Sequence, residues 1–225
     1  MSRRYQAGVH FLSPTVPLYV IDGPEPGPTA LVQAGIHGDE VAGVHALQEL
    51  VEEGFAPARG RLLLVPCMNP AAYRRRQRAA AGGADMNRSF PGDPRSAVAE
   101  ERMAARFMQL ILDEAPALVA TLHESDKRYH PAVRASFGQT LVYGVDPCPA
   151  PFLAAVERLN QHLEHPYELW DTHYYPVSTS STEVIVEATG CLGVCVETWK
   201  GFTEERRIAM QREVVGLLLA QVGLC

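Results

Sequence analysis

The sequence predicts a single α/β domain built on a mixed, mostly parallel β-sheet flanked by helices. Three observations predict it. Short apolar runs of strand length alternate along the chain with longer runs of helical period. No internal repeat, low-complexity tract or composition shift divides the 225 residues, a length that suits one domain spanning 1–225. Hydrophobic residues make up 47% and charged residues 20%, which sets the chain among ordinary globular proteins and apart from disordered ones.

Leu18-Tyr19-Val20-Ile21 is the first strand, closed by the turn-rich segment from Asp22 to Pro28. Thr29 to Ala34 is the second, and it ends in Gly35-Ile36-His37-Gly38-Asp39-Glu40, where the chain turns into a helix. Val41, Val44, Leu47 and Val51 recur at spacings of three and four and give that helix one apolar face, stopped by Gly54 and Pro57. Arg61 to Pro66 is a buried strand by its composition. Cys67 to Arg95 has no regular period and is expected to be a long loop, of the kind that is functional or disordered. Ser96 is placed to cap a helix that has Glu100 and Glu101 in its first turn and Met103, Phe107, Leu110 and Ile111 inside.

Ala117 to Leu122 is the next strand and runs straight into His123-Glu124-Ser125; a short strand at Thr140 to Tyr143 follows. Phe152 to His165 is expected to be helical, with Phe152, Val156, Leu159 and Leu163 on one side. Glu183 to Glu187 and Gly193 to Thr198 are expected as strands on either side of a turn at Gly190. The last helix starts after Thr203 and turns Ile208, Val215, Leu218 and Val222 inward.

Composition and charge exclude several classes of function. The net charge of −6 gives no broad basic footprint for nucleic acid. No apolar run approaches membrane-spanning length. The start, Met1 to His10, has two arginines with no apolar stretch behind them, so no secretory signal is expected. Five cysteines lack zinc-knuckle spacing, and Cys191 and Cys195 lie in an apolar segment, as buried free thiols do; a cytoplasmic setting is expected.

In sheets of this kind, polar groups at the carboxyl ends of strands line the site. Three of the predicted strands lead to His37, His123 and Glu197. His37 and Glu40 form an H-x-x-E pair at a strand-to-helix junction, a spacing that lets both side chains meet at one point. With His123 they make a two-histidine, one-carboxylate set that leaves a position open, as a catalytic zinc ion requires. Glu197 ends an apolar strand, where a charged residue needs a reason; the rival carboxylates are Glu183, Glu187 and Glu124. The basic run Tyr73-Arg74-Arg75-Arg76-Gln77-Arg78 has a nucleic-acid reading, but the acidic balance of the chain favours solvated arginines or a positive funnel for anionic substrates.

The Gly35 to Glu40 motif, Asp85-Met86-Asn87-Arg88-Ser89-Phe90-Pro91-Gly92 and Leu122-His123-Glu124, in that order, resemble the zinc metallocarboxypeptidase family. That family includes carboxypeptidases, murein peptide amidases and the succinylglutamate desuccinylase/aspartoacylase branch. The resemblance spans about residues 29–200 and implies a metallocarboxypeptidase-like fold and one zinc ion on His37, Glu40 and His123.

It further implies that Asp85 orients a ligand histidine and that Asn87 and Arg88 bind the substrate's free carboxylate. Arg78, nine positions before Asn87, would polarise the scissile carbonyl, and Glu197 would be the base. Tyr175, with Tyr174 beside it, would be the tyrosine that contacts bound substrate. The implied substrate is a small peptide or N-acyl amino acid with a carboxylate, with no nucleic-acid or membrane partner. With 28 residues after Glu197, the β-rich C-terminal domain usual in the desuccinylase/aspartoacylase branch is not expected in this sequence.

Overall fold

The computed structural model describes residues 5–225. Eight strands form one sheet: β1 (Gly8–Ser13), β2 (Val16–Asp22), β3 (Glu25–Ala34), β4 (Arg59–Val65), β5 (Leu118–Ser125), β6 (Thr140–Tyr143), β7 (Asp171–Tyr174) and β8 (Leu192–Trp199). Their order across the sheet is β1-β2-β4-β3-β5-β8-β6-β7. The central block β4-β3-β5-β8 is parallel, while β2 and β6 join it antiparallel at its two sides. The sheet is therefore mixed, with a parallel centre as expected.

Helices cover both faces. α1 (Ala42–Glu52), α4 (Ala150–Leu159) and α6 (Glu204–Gln221) pack on one face. α3 (Ala99–Glu114) and α5 (Ser181–Thr189) pack on the other. This double cover explains the unbroken apolar runs of the central strands. In β3, Ala30, Val32 and Ala34 enter the first core while Leu31 enters the second; in β4, Leu62 and Leu64 oppose Leu63 and Val65. From β3 the chain crosses through α1 to β4 on one side. From β4 it crosses back through α3, on the opposite face, to β5 on the other side of β3. The strand order thus reverses at β3, and a crevice opens between the carboxyl ends of β3 and β5.

Several expectations are corrected. Residues 183–187 are not a strand but the middle of α5. Ser180 Oγ accepts from Glu183 N at its start, and Gly190 ends it with a φ of 70°. Two glutamates around a β-branched triplet imitate a strand, but the cap and the space over β5 and β8 select the helix. The segment 67–95 is not all loop. Asn69 caps the short helix α2 (Pro70–Arg75) through Ala72 N, and a 3-10 turn spans Met86–Arg88.

The helix expected from Ser96 begins at Ala99, and Ser96 Oγ instead accepts from Val98 N. The helix expected to reach His165 stops at Leu159, because the Asn160 amide exchanges two hydrogen bonds with the Trp170 backbone. β3 starts at Glu25, inside the expected turn, and the polar strand β7 lacks the apolar pattern that would predict it. No helix among the described residues is long and apolar enough to cross a membrane. All five thiols are free, though Cys191 and Cys195 are half-buried rather than buried.

Candidate metal centre

After β3 the chain is pinned before it reaches α1. Met68 N donates to Ala34 O and Asn69 N to Gly35 O, both at 2.9 Å, and Gly38 N donates to Gln77 O at 3.1 Å. These bonds hold His37 and Glu40 over the crevice. His123 stands near the carboxyl end of strand β5. Nδ1 of His37 lies 2.8 Å from Glu40 Oε1, and Nδ1 of His123 lies 2.6 Å from Glu40 Oε2. The imidazole rings are 4.9 Å apart, and ligand atoms of all three residues lie within 4.8 Å of one another. All three are buried, at 3%, 6% and 3% exposure for His37, Glu40 and His123.

Burial opposes charge on every member of this trio. His123 and His37 together overcome it at Glu40 and hold that carboxyl well below the usual range. Glu40 and Asp85 likewise overcome it at His37, whose pKa is raised to about 9, while burial wins at His123 and lowers its pKa. A buried carboxylate thus faces an imidazole nitrogen at each of its oxygens, in the place a divalent cation would occupy. His123 Nε2 is buried without a partner among the described residues. Two imidazoles and one carboxylate are a donor set that fits zinc.

Asp85 ties the centre to the loop behind it. Its Oδ1 lies 3.3 Å from His37 Nε2 and accepts from Asn87 N at 2.9 Å. Its Oδ2 accepts from Arg78 Nε and Nη2 at 3.1 and 2.9 Å. Burial works against ionisation of Asp85, but His37 and Arg78 keep its pKa well below the usual range. The remaining guanidinium nitrogen, Arg78 Nη1, lies 3.4 Å from His37 Nδ1 and 3.8 Å from Glu40 Oε1. Arg74, Arg75 and Arg76 are exposed, and Arg76 covers the Tyr73 ring.

Glu197 is opposite His123 in the parallel register of β5 and β8, so both project from the same face. Its Oε1 accepts from Cys195 Sγ at 3.6 Å, and its Oε2 is buried without a partner among the described residues. Burial, reinforced by the nearby Glu40 carboxylate, raises its pKa to about 8. The rivals are placed differently: Glu183 is on the cavity wall but in α5, outside the β5–β8 register. Strand alternation turns Glu124 to the other face, where it accepts from Ala42 N and pairs with Arg207. Glu187 is exposed on α5.

A cavity of about 440 Å³ opens over the centre and is lined by Arg78, Asn87, Arg88, Tyr175 and Glu197 as well as the three ligand candidates. All nine residues expected from sequence are thus at or beside one cavity, with Asp85 behind its wall. Tyr175 rather than Tyr174 reaches it: Tyr174 is 51% exposed, while Tyr175 packs against Phe137 and His173. Sequence reasoning missed Lys200, which lines the cavity and bridges Asp39 and Asp126 at 3.2 Å each. Its place just past a strand carboxyl end was the available signal. Cys195 was missed as a lining residue, and so was the position of Glu183 on the wall.

Residues 26–131 match the model of the succinylglutamate desuccinylase/aspartoacylase catalytic domain. A curated relative, the N-alpha-acetyl-L-2,4-diaminobutyric acid deacetylase of Halomonas elongata, is 39% identical over 114 residues, which are 50% of this chain and 32% of that protein. Among solved structures, the product-bound cell shape determinant protein Csd4 of Helicobacter pylori superposes with a TM-score of 0.83 at 20% identity, over 94% of this chain and 56% of that one. The product-bound ectoine utilization protein EutE (DoeB) of Ruegeria pomeroyi gives 0.67 at 25% identity, over 92% of this chain and 61% of that one. The chain therefore spans about a third of the curated relative and between half and two thirds of these structures.

Gly38, between two residues of the centre, is seated on α2: a Cβ there would stand 2.0 Å from Ala72 C and 2.4 Å from Tyr73 N. Both are backbone atoms, so α2 itself must move to admit a methyl group. Gly38→Ala is expected to lower stability by about 1–3 kcal/mol, the usual range for overpacking, measured by urea denaturation. An unchanged midpoint would show that α2 does not sit against this turn.

Proposed function

We propose that the chain is a zinc-dependent hydrolase of the succinylglutamate desuccinylase/aspartoacylase type, acting on an amide bond next to a free carboxylate; the match over residues 26–131 and the similar deacetylase support that reading. One observation carries the reading: the His37–Glu40–His123 trio, the unpartnered Glu197 and the Asn87-Arg88 pair face one cavity. A zinc ion on the trio would polarise the scissile carbonyl and acidify the attacking water. Glu197 accepts the water's proton through Oε2 and returns it to the departing nitrogen. Arg78 keeps two guanidinium nitrogens on Asp85 and turns Nη1 toward the centre, where it donates to the oxygen that gains charge.

Asn87 and Arg88 hold the substrate's carboxylate. The Asn87 oxygen is already used by Ser181 N, at 2.9 Å, which leaves its NH₂ group to donate. The Arg88 guanidinium gives only Nη1, to Asn87 O at 2.9 Å, and has further N–H groups for a planar carboxylate. Tyr175 closes the wall beside them. The similarity to a deacetylase of an N-acyl amino acid supports such a compound, ahead of a peptide, as the substrate. The free thiols support a reducing, cytoplasmic setting.

The metal is tested directly. The purified chain is expected to bind about one zinc ion, the stoichiometry of a mononuclear site, and His123→Ala is expected to lose most of it. Elemental analysis of both proteins checks this, and full zinc in the variant would remove His123 from the ligand set.

Glu197→Gln separates catalysis from binding. The amide keeps the size of the side chain but cannot take the proton. The expected outcome is a fall in kcat of about 10²–10⁴-fold with zinc content and KM little changed. Near wild-type kcat, measured on N-acyl amino acids, would rule Glu197 out as the base.

A further inference from the structure

Glu40 stands two residues before α1, and that helix has no cap of its own. Its cap position is Val41, whose side chain accepts no hydrogen bond, and its first turn holds no acidic residue. The first N–H groups of a helix have no partner within it and need an acceptor from elsewhere. For Ala42 N that acceptor comes from another strand, 82 residues further along the chain. Ala42 N donates to Glu124 Oε2 at 3.0 Å.

A second bond runs the opposite way. Glu124 N donates to Glu40 Oε2 at 3.2 Å, on the oxygen that also faces His123 Nδ1 at 2.6 Å. Each glutamate thus receives a backbone N–H from the segment that carries the other. The two bonds form a clasp with a ligand candidate at each end, Glu40 before α1 and His123 next to Glu124 in β5. Asn69 N on Gly35 O and Gln77 O on Gly38 N pin the turn on its His37 side. Glu124 pins it on the helix side.

Both glutamates are closed off from water, at 6% and 4% exposure, and repel one another as like charges. Neither is tolerated there without a counter-charge. Glu40 has the two histidines. Glu124 has Arg207, in the first turn of α6, whose Nε donates to Glu124 Oε1. Arg207 Nη1 donates in turn to Phe202 O at 2.6 Å, between β8 and α6, so the guanidinium is itself held in place. This is more than a cap needs. A serine or asparagine at position 41 would satisfy the same end of the helix locally. What a cap from β5 adds is a tie between Glu40 and His123.

We propose that Glu124 is a positioning residue for the metal: it caps α1 from β5 and so holds Glu40 against His123 before the ion arrives. Without it α1 still packs on the sheet through Val44, Leu47 and Leu50, but its first turn and Glu40 gain freedom that metal binding must remove. The proposal rests on the metal reading above and assigns Glu124 no contact with the ion or the substrate.

Zinc affinity is measured by competition with a chelator, and the visible absorption of the cobalt(II)-loaded protein reports the geometry around the ion. Loss of a residue that orients a metal ligand typically costs about 10- to 100-fold in affinity. Glu124→Ala is expected to fall in that range, with an altered cobalt(II) spectrum. Glu124→Gln keeps an acceptor for Ala42 N and is expected to recover part of the loss. In Arg207→Lys the ammonium lacks the planar fork that serves Glu124 and Phe202 O together, and weaker zinc binding is expected there too. Phe107→Leu is the control. Phe107 is fully buried in the core on the α3 face, away from the clasp, and its variant is expected to lose stability in urea yet bind zinc like the wild type.

The proposal is overturned by wild-type zinc affinity in Glu124→Ala, or by an equal loss of zinc in Phe107→Leu. If Glu124→Ala does not fold, wild-type affinity in both Glu124→Gln and Arg207→Lys overturns it. Hydrolysis of N-acyl amino acids is followed in parallel. A Glu124-dependent zinc affinity without any hydrolysis would support this proposal and defeat the hydrolase reading. Zinc-dependent hydrolysis with an affinity indifferent to Glu124 would do the reverse.

Discussion

The structure depends on one carboxylate. Glu40 is buried at the crevice between β3 and β5, and each of its oxygens faces an imidazole nitrogen, at 2.8 and 2.6 Å. A buried carboxylate is tolerated only when its charge is met. The two histidines meet it, and each is then fixed in turn: His37 by Asp85 on its other ring nitrogen, and His123 by its place in β5. The same carboxylate acts outward as well. Together with burial, it disfavours a second negative charge at Glu197 and so makes that group an avid proton acceptor. The position of one side chain thus sets the charge state of its neighbours.

Asp85 extends that order to the loop. A carboxylate has room for several donors, and here one residue holds His37, the Asn87 backbone and two nitrogens of Arg78. Arg78, Asn87 and Arg88 come from a segment without a regular hydrophobic period, in which Met86 and Phe90 reach the core. Asp85 and the Asn87–Ser181 bond add polar ties, and join the segment to β3 on one side and α5 on the other.

The parts legible in the sequence were those with a pattern of their own. The central strands are unbroken apolar runs because both faces are covered, and the H-x-x-E spacing and His123 mark the trio whatever surrounds it. What was misread depended on distant partners. Residues 183–187 carry β-branched side chains, yet the Ser180 cap and the surface of β5 and β8 make them helix. The helix ending at Leu159 stops on a bond between Asn160 and Trp170, ten residues apart. The misreading of α5 also hid Glu183: a strand at 183–187 gave no reason to place that carboxylate over the cavity. Lys200 was hidden in the same way, since its partners Asp39 and Asp126 lie far off in sequence.

The functional groups fall into two mechanical classes. His123 and Glu197 stand on neighbouring central strands, in register, and cannot shift relative to one another without breaking the ladder between β5 and β8. A proton transfer needs that precision, since it works only over a hydrogen-bond distance. Arg78, Asn87, Arg88 and Tyr175 stand on connecting segments, held by side-chain bonds and ring contacts. Segments of this kind change in length and sequence without disturbing the sheet. The chemistry is therefore built on the part of the molecule that resists change, and the choice of substrate on the part that tolerates it.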